Sequence, residues 1–158
     1  MTLGSGPTPE PDNPQSLAEA SSSRMWASDT ASQLLGMQLQ EVAPGRAVLR
    51  MRVTAAMLNG HGICHGGYIF ALADSAFAFA CNTYGEAVVA AGADVDFMSP
   101  ARVGEELVAV ATERLRRGRS GLYDVTVRQG PEGRVVAEFR GRSRSLPAVT
   151  QPGSVGTE

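Results

Sequence analysis

The chain contains no lysine: all 14 of its basic residues are arginine. Guanidinium groups match phosphate oxygens, so the composition suits phosphate recognition, but a genome-wide codon bias toward arginine is the blander and preferred explanation. Against 16 acidic residues these arginines leave a formal net charge of −2, which gives no global reason to expect nucleic-acid binding. Cysteine is scarce too. Cys64 and Cys81 are too few for a disulfide framework, and reduced thiols in a cytoplasmic protein are the simpler reading. No stretch approaches the roughly 20 apolar residues that a membrane span requires. The opening MTLGSGPTPEPDNPQ has neither a basic start nor an apolar run. No secretory signal is expected there, and the protein is expected in the cytosol.

What the chain does have is ordinary for a globular protein: 158 residues, 43% of them apolar and 19% charged. That length carries one domain with a sizeable core. Residues 1–14 and 147–158 are rich in Pro, Gly, Ser and Thr and read as a disordered leader and a flexible tail around a single unit over 15–146.

Within that unit the patterning changes several times. Residues 15–35 read as helix, in one or two pieces, ending at Gly36. Two strands follow, over 37–42 and 46–53, joined at Pro44-Gly45; in the second, Leu49, Met51 and Val53 alternate with arginines. From Gly66 to Tyr84 the chain turns apolar on nearly every helical face, which predicts a helix buried on most sides and closed by Gly85. Four strand-like runs come after it, near 87–97, 105–116, 120–129 and 134–144. Tyr123, Val125 and Val127 share one face of the third, and Val135, Ala137 and Phe139 one face of the fourth. The order predicts an α+β architecture: one long apolar helix covered by a curved antiparallel sheet.

Asp74 stands out in the middle of that helix. A carboxylate there costs several kcal/mol unless it is paired or hydrated, and no arginine lies on the helix to pair with it. Two readings stay open: a functional group with a displaced pKa, or an aspartate bonded to backbone amides or to a serine of a neighbouring strand. At the expected start of the helix stands His65-Gly66-Gly67. Two glycines let a ligand approach the backbone, and the first amides of a helix, which have no intrahelical acceptors, can stabilise an oxyanion. Asp74 comes eight residues after Gly66, a rise of about 12 Å along a helix. If both serve one substrate, a second copy of the chain must bring them together. Asn59, in the preceding loop, can hold a water or a carbonyl through its amide, although Asn59-Gly60 is also an ordinary turn pair.

His61, Cys64, His65 and Cys81 invite a metal, but they supply no second spaced pair. Cys81 as a core residue and His65 bonded to backbone fit better, and neither metal nor bound cofactor is expected. A Cys–His nucleophile pair lacks an orienting third residue.

Taken together, Asn59, His65-Gly66-Gly67, Leu72-Ala73-Asp74, the Ala76–Asn82 run and Asp96-Phe97-Met98-Ser99-Pro100 make the chain resemble the phenylacetic-acid-degradation (PaaI-type) branch of the hotdog-fold acyl-CoA thioesterases, over roughly residues 30–145. The resemblance implies hydrolysis of small or aromatic acyl-CoAs such as phenylacetyl-CoA or its hydroxylated form, with coenzyme A entering only as part of the substrate. It implies that Asp74 attacks the thioester or activates water, that the Gly66 amide polarises the carbonyl, and that Asn59 helps to orient water. It also implies a homotetramer, a dimer of dimers with its sites at the dimer interface. Some relatives carry a Ser or Thr early on the strand after the central helix; Ala90-Ala91-Gly92-Ala93 offers no hydroxyl there. His65 and Gly67 are expected to line the substrate site. Coenzyme A carries phosphates, so arginines are expected at its mouth, with Arg102 and the cluster Arg116, Arg117 and Arg119 as candidates. Each could equally be a solvated face. The competing function is a non-catalytic acyl-CoA-binding module, against which the retained Asp74 argues; a hydratase is disfavoured because no histidine follows Asp74.

Overall fold

The computed structural model describes residues 13–148. Two helices come first, α1 (Pro14–Ser28) and α2 (Thr30–Leu34), then the strands β1 (Gln38–Ala43) and β2 (Arg46–Arg52). A 3-10 turn at Ala55–Met57 leads to the long helix α3 (Gly66–Cys81). Four strands complete the chain: β3 (Val88–Phe97), β4 (Glu106–Arg117), β5 (Ser120–Gln129) and β6 (Val135–Ser145). The expected leader falls outside the described residues except for its last two positions. Asn13 caps α1 by accepting from the Gln15 N–H at 2.9 Å, and Pro14 is its first residue. Of the expected tail, only Pro147 and Ala148 are described.

All six strands join one antiparallel sheet in the order β1-β2-β4-β5-β6-β3. Its inner face buries Leu49, Met51, Leu107, Ala109, Tyr123, Val125 and Val127, which alternate with half-buried outer positions as a sheet covered on one face requires. Across that face lies α3, contributing Ile69, Leu72, Ala73, Ala76, Phe77 and Phe79. Register shifts interrupt β1, β3, β4 and β6, and such bulges bend a sheet so that it can wrap a helix. This is the α+β hotdog arrangement the sequence predicted.

Three local readings need correction. The central helix ends at Cys81 rather than at Tyr84, because Asn82 stops it: its Nδ2 donates to the Ala78 carbonyl at 2.9 Å and to the Val88 carbonyl at 3.0 Å, while its Oδ1 accepts from the Val88 N–H. That one side chain ties the helix end to the start of β3. Val135 does not share a buried face with Ala137 and Phe139, because the bulge places an extra residue, Val136, in the core. Finally, α3 is not buried all round. Gly67, Phe70, Ala71, Asp74 and Ala78 recur at helical spacing and form a stripe open or partly open to solvent.

The Pro44-Gly45 hairpin forms as expected. Ala43 pairs with Arg46, and Gly45 takes φ +71°, a conformation that favours glycine in the third position of a turn with proline second. Among the described residues, no helix is long and apolar enough to cross a membrane.

Candidate active site

Asp74 sits midway along the open stripe of α3. It is half-buried, and among the described residues it has no hydrogen bond and no ion pair. Burial alone pushes its carboxyl above the ordinary range, since desolvation penalises the charged form. The structural alternative for this residue, a bond to a neighbouring serine, is met by the next side chain along. Ser75 Oγ lies 2.8 Å from Ser32 Oγ of α2. Ser32 in turn donates its hydroxyl to Asp29 at 2.6 Å and its backbone N–H to the same carboxylate at 3.0 Å. Ser32 has one hydroxyl proton, which goes to Asp29, so Ser75 is the donor to Ser32. The helix turn is anchored through Ser75, and Asp74 is left free.

At the N-terminus of α3 the three residues of the His-Gly-Gly run have separate jobs. His65 is the cap: its Nδ1 accepts from the Gly67 N–H at 2.9 Å, and its backbone N–H donates to the Met57 carbonyl. That uses the Gly67 amide, so neither His65 Nδ1 nor the Gly67 N–H is free for a ligand. The Gly66 N–H has no acceptor among the described residues and stands at the positive end of the helix dipole. Over it lies Phe97 from the end of β3. A Cβ built on Gly66 would stand 2.9 Å from Phe97 Cζ, so glycine here is a requirement of packing. Phe97 is an apolar wall beside the free amide, and no local pattern in the chain marks it for that place.

Asn59 acts first on its own loop. Its Oδ1 accepts from the His61 N–H at 2.9 Å and from the Ile63 N–H at 3.3 Å, and its backbone bonds Ile63 and Gly62. The loop that delivers the chain to His65 is therefore shaped by Asn59, and only its Nδ2 is without a partner among the described residues.

The cysteines are not arranged for nucleophilic work. Cys81 is buried, and that burial, with a smaller contribution from the Asp74 charge, pushes its thiol up to about 12. Cys64 is also raised by burial, and its Sγ points at the His65 carbonyl rather than at the imidazole.

The arginine cluster lies at the other end of the helix. Arg116, Arg117 and Arg119 flank the β4–β5 turn, with Arg116 and Arg119 beside Cys81 and Tyr84, a helix length from Gly66 in the same chain. Arg116 stacks on the Tyr84 ring at 3.6 Å, and Arg119 donates twice to the Ser145 carbonyl. Of the three, only Arg117 has a guanidinium without a partner among the described residues. Arg102 is held by the β3–β4 loop, where its N–H donates to Glu105.

Comparison with known proteins gives the chain a family. The Thioesterase superfamily pattern matches residues 61–136, which include the His-Gly-Gly run, Asp74 and Phe97. The acyl-coenzyme A thioesterase PaaI of Escherichia coli K12 is 42% identical over 122 residues, 77% of this chain and 86% of its own. Human acyl-coenzyme A thioesterase 13 is 30% identical over 129 residues, 80% of this chain and 91% of its own. In three dimensions the E. coli PaaI protein of the phenylacetic acid degradation operon superposes with a TM-score of 0.83 at 38% identity, covering 85% of this chain and 97% of that one. The chain belongs to the hotdog-fold acyl-CoA thioesterases, in their PaaI-type branch.

Proposed function

We propose that this protein hydrolyses the thioester bond of small or aromatic acyl-CoAs, phenylacetyl-CoA and its hydroxylated form among them, with Asp74 and the Gly66 amide as its chemical groups. The observation that carries this reading is Asp74 itself: an unpaired, partly desolvated carboxylate on an open helix stripe, in a chain of a thioesterase family. The aromatic preference draws on the relative in the phenylacetic acid degradation operon.

In this reading the thioester carbonyl accepts a hydrogen bond from the Gly66 N–H, which stabilises the oxyanion as the carbon becomes tetrahedral. Two routes use that arrangement. Asp74 attacks the carbonyl carbon and expels the CoA thiolate, and water then opens the resulting anhydride. Alternatively, Asp74 takes a proton from a water that attacks directly. Single turnover in heavy-oxygen water separates the routes, because only the first places label in the Asp74 carboxylate.

The rise of about 12 Å between Gly66 and Asp74 supports a site shared between two copies of the chain. Strand β3 supports it further. It is the last strand of the sheet, with one edge unpaired among the described residues, and it carries Val89 45% exposed and Phe97 53% exposed, with Met98 62% exposed beside them. A long apolar edge invites a partner strand. We place two sites in a dimer joined there and two dimers in a tetramer, which sedimentation tests; an active monomer would refute it.

The decisive experiment is thiol release from an acyl-CoA panel by wild type and Asp74→Asn. The isosteric change should lower kcat by about 10²-fold or more while leaving acyl-CoA binding intact. Unchanged turnover would remove Asp74 from the chemistry. Binding without turnover in both proteins would point instead to an acyl-CoA-binding module.

A further inference from the structure

Helix α3 packs on the sheet through apolar contact, with Ala73, Ala76 and Ala80 standing between the larger side chains of its buried face. Apolar contact is non-directional, and short side chains give little purchase against rotation of a helix about its own axis. One directional bond opposes that rotation, the 2.8 Å contact between Ser75 Oγ and Ser32 Oγ. Among the described residues it is the only side-chain hydrogen bond from α3 to another helix or strand.

Rotation matters at the neighbouring residue. Asp74 stands next to Ser75 on the same turn, half-buried and, among the described residues, without a hydrogen bond of its own. A side chain reaches about 5–6 Å from a helix axis, so a roll of about 10° carries a carboxylate about 1 Å. A misplacement of about 1 Å can slow a reaction about 10²-fold. Behind Ser75 the structure is built to hold still. Ser32 is 2% exposed, and it engages both oxygens of the Asp29 carboxylate, one through its hydroxyl at 2.6 Å and the other through its backbone N–H at 3.0 Å. With its one proton committed to Asp29, the Ser32 hydroxyl is left as an acceptor aimed at Ser75. Asp29 itself ends α1 and caps α2.

We propose, resting on the reading of Asp74 as the reactive carboxylate, that Ser32 and Ser75 are positioning residues. Their hydrogen bond, oriented by Asp29, fixes the roll of α3 and with it the direction and the solvent shielding of the Asp74 carboxylate.

The bond can be removed while its surroundings stay satisfied. In Ser75→Ala, Ser32 keeps both of its bonds to Asp29; in Ser32→Ala, Asp29 keeps the backbone N–H of residue 32, so α2 keeps its cap. The test follows the Asp74 carboxyl by carbon NMR of aspartate-labelled protein, assigned with Asp74→Asn, alongside turnover of phenylacetyl-CoA. Cys81 feels the Asp74 charge from two turns along, but its thiol, pushed up to about 12, stays protonated throughout that titration. Losing the anchor lets water reach the carboxylate. In both single variants its midpoint should therefore fall from the raised wild-type value toward about 3.9. In the same variants kcat should drop about tenfold with KM little changed, and Ser75→Thr, which keeps the hydroxyl, should recover most of the loss. The double variant should be no worse than either single one, since both changes break the same bond.

A lower Tm with the midpoint and kcat unchanged overturns the proposal and leaves the bond a structural anchor only. A midpoint that rises, a loss carried by KM alone, or losses that add in the double variant overturn it as well. If wild type cleaves no acyl-CoA, the thioesterase reading fails, and the titration midpoints still decide whether Ser32 and Ser75 set the surroundings of Asp74.

Discussion

The ring of Phe97 lies over the backbone of Gly66, with Cζ 2.9 Å from the place a Cβ on residue 66 would take. One contact thus joins the end of the edge strand to the amide that opens the central helix, and it gives the first glycine of the run a packing reason besides its chemical one. Gly66→Ala should overpack the contact and cost about 1–3 kcal/mol, seen as a lower Tm and as impaired turnover. Adding Phe97→Ala should restore most of the stability. A double variant that shows no coupling between the two changes would mean that the ring simply moves aside.

Burial raises the Asp74 pKa, and this has two consequences of opposite kind. The first concerns rate. The carboxylate is the reactive form in both routes, so kcat/KM should fall on the acid side with a midpoint above the ordinary aspartate value of about 3.9. Activity that stays level down to pH 4 would contradict it.

The second consequence concerns stability. A raised folded-state pKa means that the folded chain holds the proton more tightly than the unfolded chain. Its contribution to stability is therefore present below about pH 3.9 and lost as pH rises through the raised value. At pH 7 the ionised Asp74 costs stability, and Asp74→Asn should melt higher than wild type, by a few degrees at most. Near pH 4 the difference should shrink. Denaturation curves at the two pH values measure it, and an advantage that persists undiminished in acid would have another origin.

Asn59 can be tested by keeping its oxygen and changing its nitrogen. Asn59→Asp preserves an acceptor for the His61 and Ile63 amides, whereas Asn59→Ala removes it. If the residue works by shaping the loop before His65, the aspartate variant keeps most of its activity and the alanine variant loses roughly tenfold, an effect equal to about 1.4 kcal/mol. Equal losses in both would assign the work to Nδ2, and hence to water or substrate.

The fold was legible from the chain because each element carried its own period. The alternation of Leu49, Met51 and Val53 with arginines, and the unbroken apolar run of α3, placed strands and helix to within a few residues. Asp74 was legible because it broke the pattern around it. What escaped depended on contacts between distant segments. Nothing local marks Asn82 as the stop of α3, Ser32 as the anchor of Ser75, or Phe97 as the cover of Gly66, since each acts on a partner brought near only by folding. The arginines divided for the same reason. Arg116, Arg117 and Arg119 read as one cluster along the sequence, yet strand alternation and the β4 bulge send Arg116 to the helix side and Arg117 to the outer face.

Sharing of the site between subunits makes a quantitative demand. Asp74→Asn disables the carboxylate half of a site. Gly66→Pro removes the N–H at a position where proline suits the first turn of a helix, with Phe97→Ala added to make room. Each variant alone should be nearly inactive. In a random mixture formed by co-expression, half of the dimers contain one chain of each kind, and in every such dimer one of the two sites receives an intact Asp74 from one chain and an intact Gly66 from the other. Recovery should therefore approach about a quarter of wild-type activity per chain. If both groups came from the same chain, no combination of these two variants could rebuild a site, and the mixture would stay as inactive as its components.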